Sequence, residues 1–144
     1  MFNTIAVATD GTGTADRAVE MALDIAAHYN ARLLILSVYE PVSAAQLAHE
    51  QAEAPEDIQW SINPTEHVDV TLADVTERAK ARGLESSAVA REGEPASVIC
   101  ELAEAHGADL LVIGNKGMQR RLFGSVPRSI CQHAPCSVVV AKTT

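Results

Sequence analysis

Aromatic residues make up only 3% of the sequence. A surface that stacks nucleic-acid bases needs aromatics in number, so their scarcity disfavours that function. Positive charge is also short: 11 Lys and Arg stand against 19 Asp and Glu, for a formal net charge of -8. Nucleic-acid binding relies on basic groups that neutralise phosphates, which argues the same way. Lys and Arg still occur together locally, and a small phosphate site is compatible with that. Cysteine is sparse. Cys100, Cys131 and Cys136 form no CxxC and cannot all pair among themselves, so reduced, mostly buried thiols in a cytosolic protein are expected. No apolar run approaches the roughly 18–20 residues of a membrane span. The opening MFNTIAVATDG has neither the basic segment nor the long apolar stretch of a secretory signal. The expectation is a cytoplasmic protein that binds no nucleic acid and inserts in no membrane.

What is present is alternation. A chain of 144 residues is the length of one domain with a real core, and 47% of it is hydrophobic. Short β-branched or apolar runs at 4–9, 31–38, 86–91, 109–114 and 136–142 read as strands. Between them, helical periodicity runs over 14–29, 65–83, 94–107 and 124–134, with Thr65 as a candidate N-cap and Gly83 and Gly107 as stops. Residues 40–64, with Pro41, Pro55 and Pro64, read mainly as a long connection in which SAAQLAHEQAEA has helical character. Strand and helix alternating from end to end imply an α/β fold, a doubly wound open parallel sheet with helices on both faces. Such folds bind ligands beyond the carboxyl ends of their strands, where the strand order reverses. ATDGT follows the first strand and GNKGMQRRLFGS follows the fourth; if those strands are neighbours, the two loops share a crevice.

The second loop has the composition of a phosphate cradle. Gly114 and Gly117 allow close backbone approach, Gly124 and Ser125 supply donors where a helix opens, and the helix dipole favours an anion there. Lys116, Arg120 and Arg121 add positive charge. Read plainly, the same residues make a turn with solvated basic side chains, and the spacing is neither a Walker loop nor a dinucleotide fingerprint. Asp10 is a turn residue and helix cap on one reading, and on the other a carboxylate for ribose hydroxyls or for a divalent ion bridging to phosphate. His28, His49, His67, His106 and His133 share no ligand spacing and read as surface or helix-end residues. There is no G-x-S-x-G elbow, no HExxH and no convincing nucleophile–base set, so no catalytic residue is assigned.

Over nearly its full length the chain resembles the universal stress protein family. The likeness is carried by IAVATDGTGTADRAVEMALDIA, by LLILSV, and most specifically by ADLLVIGNKGMQRRLFGSVPRSICQHAPCSVVVAK. It implies a Rossmann-like, adenine nucleotide alpha hydrolase-like sheet of five strands ordered 3-2-1-4-5. In the ATP-binding branch the loop pattern is G-x2-G-x9-G-[S/T]. Matched by position, the resemblance implies that Ala8, Thr9 and Val38 lie beside the base and that Asp10 contacts the nucleotide. Ile113, Gly114, Gly117, Gly124, Ser125 and Val126 fall on the phosphate and ribose loop, and Arg120 stands within it. The implied ligand is ATP, alone or with Mg2+ or Mn2+ held through Asp10. Only six residues separate Gly117 from Gly124, three fewer than the pattern, so the middle of this loop runs tighter. In place of the Ser-Gly-Gly loop of adenylate-forming relatives the chain has Thr9-Asp10-Gly11-Thr12. That leaves at most slow ATP hydrolysis or autophosphorylation, with Ser125 as acceptor. The expected protein is a regulatory stress-response protein with an adenine nucleotide ligand and an unidentified protein partner. The alternative is a stress-linked dimerisation module that binds cyclic AMP or no ATP. CSVVVAKTT, apolar and without proline or inward charge, is expected at a sheet edge, where it pairs with a second copy as a homodimer.

Overall fold

A computed structural model describes residues 1–10, 13–39, 64–115 and 126–142. In chain order the elements are β1 (Thr4–Ala8), α1 (Gly13–Tyr29), β2 (Arg32–Tyr39), α2 (Pro64–Ala81), β3 (Ser86–Glu92), α3 (Pro95–Ala105), β4 (Leu110–Gly114), α4 (Val126–His133) and β5 (Ser137–Ala141). The five strands pair in parallel in the order β3-β2-β1-β4-β5, as the family likeness implied.

The central strands are buried along their length because helices cover both faces, which is why they read as unbroken apolar runs. Their side chains alternate between two clusters. Ile5, Val7, Leu33, Ile35, Leu110 and Val112 meet Ala18, Val19, Ala22 and Leu23 of α1 and Val68, Leu72 and Val75 of α2. Ala6, Ala8, Leu34, Leu36, Val38, Leu111 and Ile113 meet Ala96, Val98, Ile99 and Leu102 of α3 and Val126 and Ile130 of α4.

Local chemistry sets most boundaries. Gly83 and Gly107, at φ 72° and 68°, take the left-handed conformation that stops α2 and α3. The Glu94 carboxylate caps α3, accepting the N–H groups of Ala96 at 3.2 Å and Ser97 at 2.8 Å. Burial pushes that carboxyl up, but the bonds from Ser97 and Ala96 outweigh it and hold the group below its ordinary value. Asp109 accepts the N–H groups of Asn3 and Thr4 at 2.8 and 2.9 Å, which ties the starts of β1 and β4 together.

Two expectations are revised. Helix α2 begins at Pro64, whose fixed φ suits a first helical position, so Thr65 lies inside the helix and is not its cap. The last helix is described over Val126–His133; Gly124 and Ser125, where the sequence placed its start, lie outside the described residues. The free thiols are less buried than expected: Cys100 and Cys136 are half-buried and Cys131 is exposed. Burial pushes the first two thiols up, which keeps them protonated. The long connection at 40–63 lies outside the described residues. Among the described residues no helix is long and apolar enough to cross a membrane.

Candidate functional site

β1 and β4 are neighbours, with Ile5, Ala6 and Val7 opposite Leu110, Leu111 and Val112. Their carboxyl ends therefore open side by side, about 4.8 Å apart. β1 continues the chain to the β2 side, while β4 leads to the β5 side, so this is the point where the strand order reverses.

Four residues singled out from the sequence come together here. Ala8 of β1, Val38 of β2, Ile113 of β4 and Val126 of α4 all belong to the cluster under α3 and α4, and each is only 2 to 4% exposed. They form one apolar wall along the carboxyl edge of the sheet. Val126 opens α4 on that wall, so the chain that leaves β4 at Asn115 returns to the end of β4.

The polar residues divide. Thr9 prolongs the sheet: its N–H donates to the Leu36 carbonyl at 2.9 Å and its side chain is buried, so that N–H is not a donor for a ligand. Asp10 stands next at the mouth, half-buried. Gly114 ends β4 in register with Ala141 and is absent from the residues of positive φ. No special turn is required of it. Asn115 follows, its N–H donating to the Ala141 carbonyl at 3.0 Å. Gly117, Arg120, Gly124 and Ser125 lie outside the described residues.

The fit to a divalent ion is limited. Among the described residues no group of three or more His, Cys, Asp or Glu side chains could hold a metal. Asp10 supplies one carboxylate, which matches an ion carried in on phosphate oxygens better than a resident one. At the opposite end of the sheet a cavity of about 310 Å³ is lined by Asn30, Ala31, Arg32, Gly83 and Glu85. It is remote from the crevice and shares none of its residues.

One contribution to this edge was not legible in the sequence. Gly93, just beyond β3, donates its N–H to the Tyr39 carbonyl at 2.9 Å and so fixes the end of β2 beside Val38. A Cβ at Gly93 would lie 2.6 Å from Cγ2 of Val98. The signal was present as a glycine after an apolar run, but its partner is more than fifty residues away.

The sequence pattern of the universal stress protein family matches residues 1–142. The chain belongs to that family. A universal stress protein of Mycobacterium tuberculosis (strain H37Rv) is 34% identical over 152 residues, which span 99% of this chain and 98% of the relative. The universal stress protein YxiE of Bacillus subtilis is 26% identical over 150 residues, spanning 99% and 100%. Among solved structures, a universal stress protein in complex with cAMP shares 33% identity with a TM-score of 0.74 and covers 99% of both chains. A universal stress protein family protein from Arabidopsis thaliana with AMP bound shares 18% identity at a TM-score of 0.68, covering 99% of this chain and 92% of that one, a likeness of fold alone.

Proposed function

We propose that this universal stress protein binds an adenine nucleotide in the crevice between β1 and β4, and that occupancy regulates its dimer or a protein partner in a cytoplasmic stress response. The observation that carries the reading is the single apolar wall of Ala8, Val38, Ile113 and Val126, directly behind Asp10 and Gly114. A flat, weakly polar base suits the wall. The Asp10 carboxylate then faces ribose hydroxyls, and Gly114 stands where the phosphates begin. By the family pattern the phosphates continue onto Gly117, Gly124 and Ser125, with Arg120 as local charge. The role is binding; slow hydrolysis or autophosphorylation at Ser125 is the most that the residues would support.

ATP is the ligand by the glycine pattern, with Mg2+ or Mn2+ held between Asp10 and phosphate oxygens. Cyclic AMP is the second reading, and a specific observation favours it: the 33% identical solved relative is a complex with cAMP. The loop of this chain is also three residues shorter than the ATP pattern, leaving less backbone for a triphosphate.

The regulatory reading includes a homodimer through β5. This strand is a sheet edge, Val138 and Val139 are half-buried and Val140 is 42% exposed. Pairing with a second copy would satisfy the open edge under two-fold symmetry. Sedimentation at roughly tens of micromolar should find a dimer that Val139→Pro dissociates; a parent that stays monomeric removes the dimer from the proposal.

Mass spectrometry of ligand released from the purified protein, followed by calorimetric titration with ATP, AMP and cyclic AMP, tests the site. The parent should bind at least one of them at one per chain. Gly114→Val should remove binding with the far-UV spectrum intact, since a β-branched residue suits a strand while crowding the mouth. A folded Gly114→Val protein that binds like its parent overturns the assignment. The ligand bound more tightly by the parent decides between ATP and cyclic AMP.

A further inference from the structure

Arg91 is paired in register with Val38, the wall residue at the base end of the crevice. The two side chains leave the same face of the sheet. Val38 belongs to the cluster under α3 and α4, Val89 packs against that cluster, and alternation along β3 brings Arg91 back to the side of Val89. Arg91 is exposed, and no hydrogen bond or ion pair among the described residues engages its guanidinium. Three other arginines among the described residues are held. Arg78 and Arg82 are paired with acids of α1, and Arg32 donates to the His106 carbonyl at 3.4 Å. A planar, permanently charged group thus stands at the outer end of the apolar cluster, unheld among the described residues.

Strand spacing limits what that group can reach. At about 4.8 Å per strand, β3 is one step from Val38 but roughly 14 Å from β4. A nucleotide with its phosphate at Gly114 and its base across β1 and β2 brings the base, not the phosphate, to Arg91. We infer that Arg91 recognises the purine, its guanidinium stacking on the ring that rests against Val38. The inference rests on the adenine-nucleotide reading above and adds to it the residue that selects the base. Stacking of this kind needs a flat π face and strengthens as the cation is desolvated, which a ring laid between Arg91 and the apolar cluster of Ala8, Val38 and Ile113 would bring about.

Titration calorimetry of the parent, Arg91→Ala, Arg91→Lys and Gly114→Val with ATP, AMP and cyclic AMP separates the cases. Arg91→Ala should weaken every nucleotide that the parent binds by the same factor, roughly 3- to 30-fold, whatever its phosphate charge. Arg91→Lys keeps the charge but not the plane and should lose nearly as much; the loss should persist in high salt. Full affinity in Arg91→Lys, or a loss that grows with phosphate charge, means that Arg91 serves the phosphates or the general field and overturns the inference. Affinity unchanged in Arg91→Ala while Gly114→Val abolishes binding overturns the role of Arg91 and leaves the site standing. A parent that binds none of the three overturns both.

Discussion

The two faces of the sheet are built from similar apolar residues but closed differently. On the α1–α2 face, aliphatic packing is bridged on the outside by ion pairs, Arg78 to Asp16 and Glu20 and Arg82 to Asp24 at 2.7 Å, while Asp74 of α2 itself stands 3.6 Å from Arg78. Asp16, Glu20 and Asp24 recur every four residues and so form one stripe along α1, opposite the basic residues of α2. On the α3–α4 face the cluster runs on to the carboxyl edge, where Ala8 and Ile113 stand just before Asp10 and Gly114. One face is a closed support. The other brings an apolar cluster to the point where the strand order reverses, and the proposed ligand site adjoins it.

The comparison is broken most severely from within the α3–α4 core. Ile99 is fully buried beneath the wall, and Ile99→Ala should cost about 2–5 kcal/mol in urea unfolding because the cavity there relaxes only in part. The nucleotide site should weaken along with it, which a cavity on the α1–α2 face would do less. Asp10→Ala comes next. It should weaken nucleotide binding by about 1.5–3 kcal/mol, the range of a charge-assisted hydrogen bond. Unchanged affinity with a lower melting temperature would instead make Asp10 only a turn and cap residue.

The ion pairs of the closed face should matter less. The Arg78 side chain is 25% exposed and its partners more than half exposed, so solvent screens them, and Arg78→Gln should cost no more than about 1 kcal/mol. The difference from the parent should shrink in 0.5 M salt, with the screening length falling to a few ångströms. A loss of several kcal/mol would mean that the network, not the aliphatic packing, holds α2 to α1.

The smallest effect is a pH dependence. The N–H groups of Thr4 and Asn3 hold the Asp109 carboxyl below its ordinary value, as those of Ser97 and Ala96 do for Glu94 against the opposing effect of burial. Both groups are depressed in the folded state, so the unfolded chain takes up protons first on acidification. The stability they add is complete above the unfolded values near pH 4 and is lost as the pH falls through the lower folded ones. Urea midpoints should therefore be flat from about pH 7 to 5 and fall below it, and Asp109→Asn should reduce the slope of that fall.

Much of the architecture was legible because its signals are local. Each central strand is an apolar run of five to eight residues ended by a polar or glycine residue, each helix shows its stripe, and Gly83 and Gly107 stop helices as their type suggests. The cap on α3 was less so, since the long side chain of Glu94 is not a usual cap residue, and its role depends on the turn from Gly93. The thiols were expected to be mostly buried, yet Cys131 lies on the outer side of α4, while Val126 and Ile130 take the inner one. An eight-residue helix has too few turns for periodicity to assign every position.

The site divides along the same line. Asp10, Gly114 and the glycine loop stand out as residue types at strand ends, and the likeness to a family supplied the strand order. The sequence by itself determined the alternation of strand and helix and the parallel two-sided sheet, and it marked the candidate residues for a phosphate. Only the tertiary structure decided that Ala8, Val38, Ile113 and Val126 share a face and that Arg91 stands beside Val38. The reason is physical. A strand buried on both sides carries no polar alternation to mark which residue points where, and pairing between segments more than fifty residues apart is a choice among backbone hydrogen bonds that every strand offers equally.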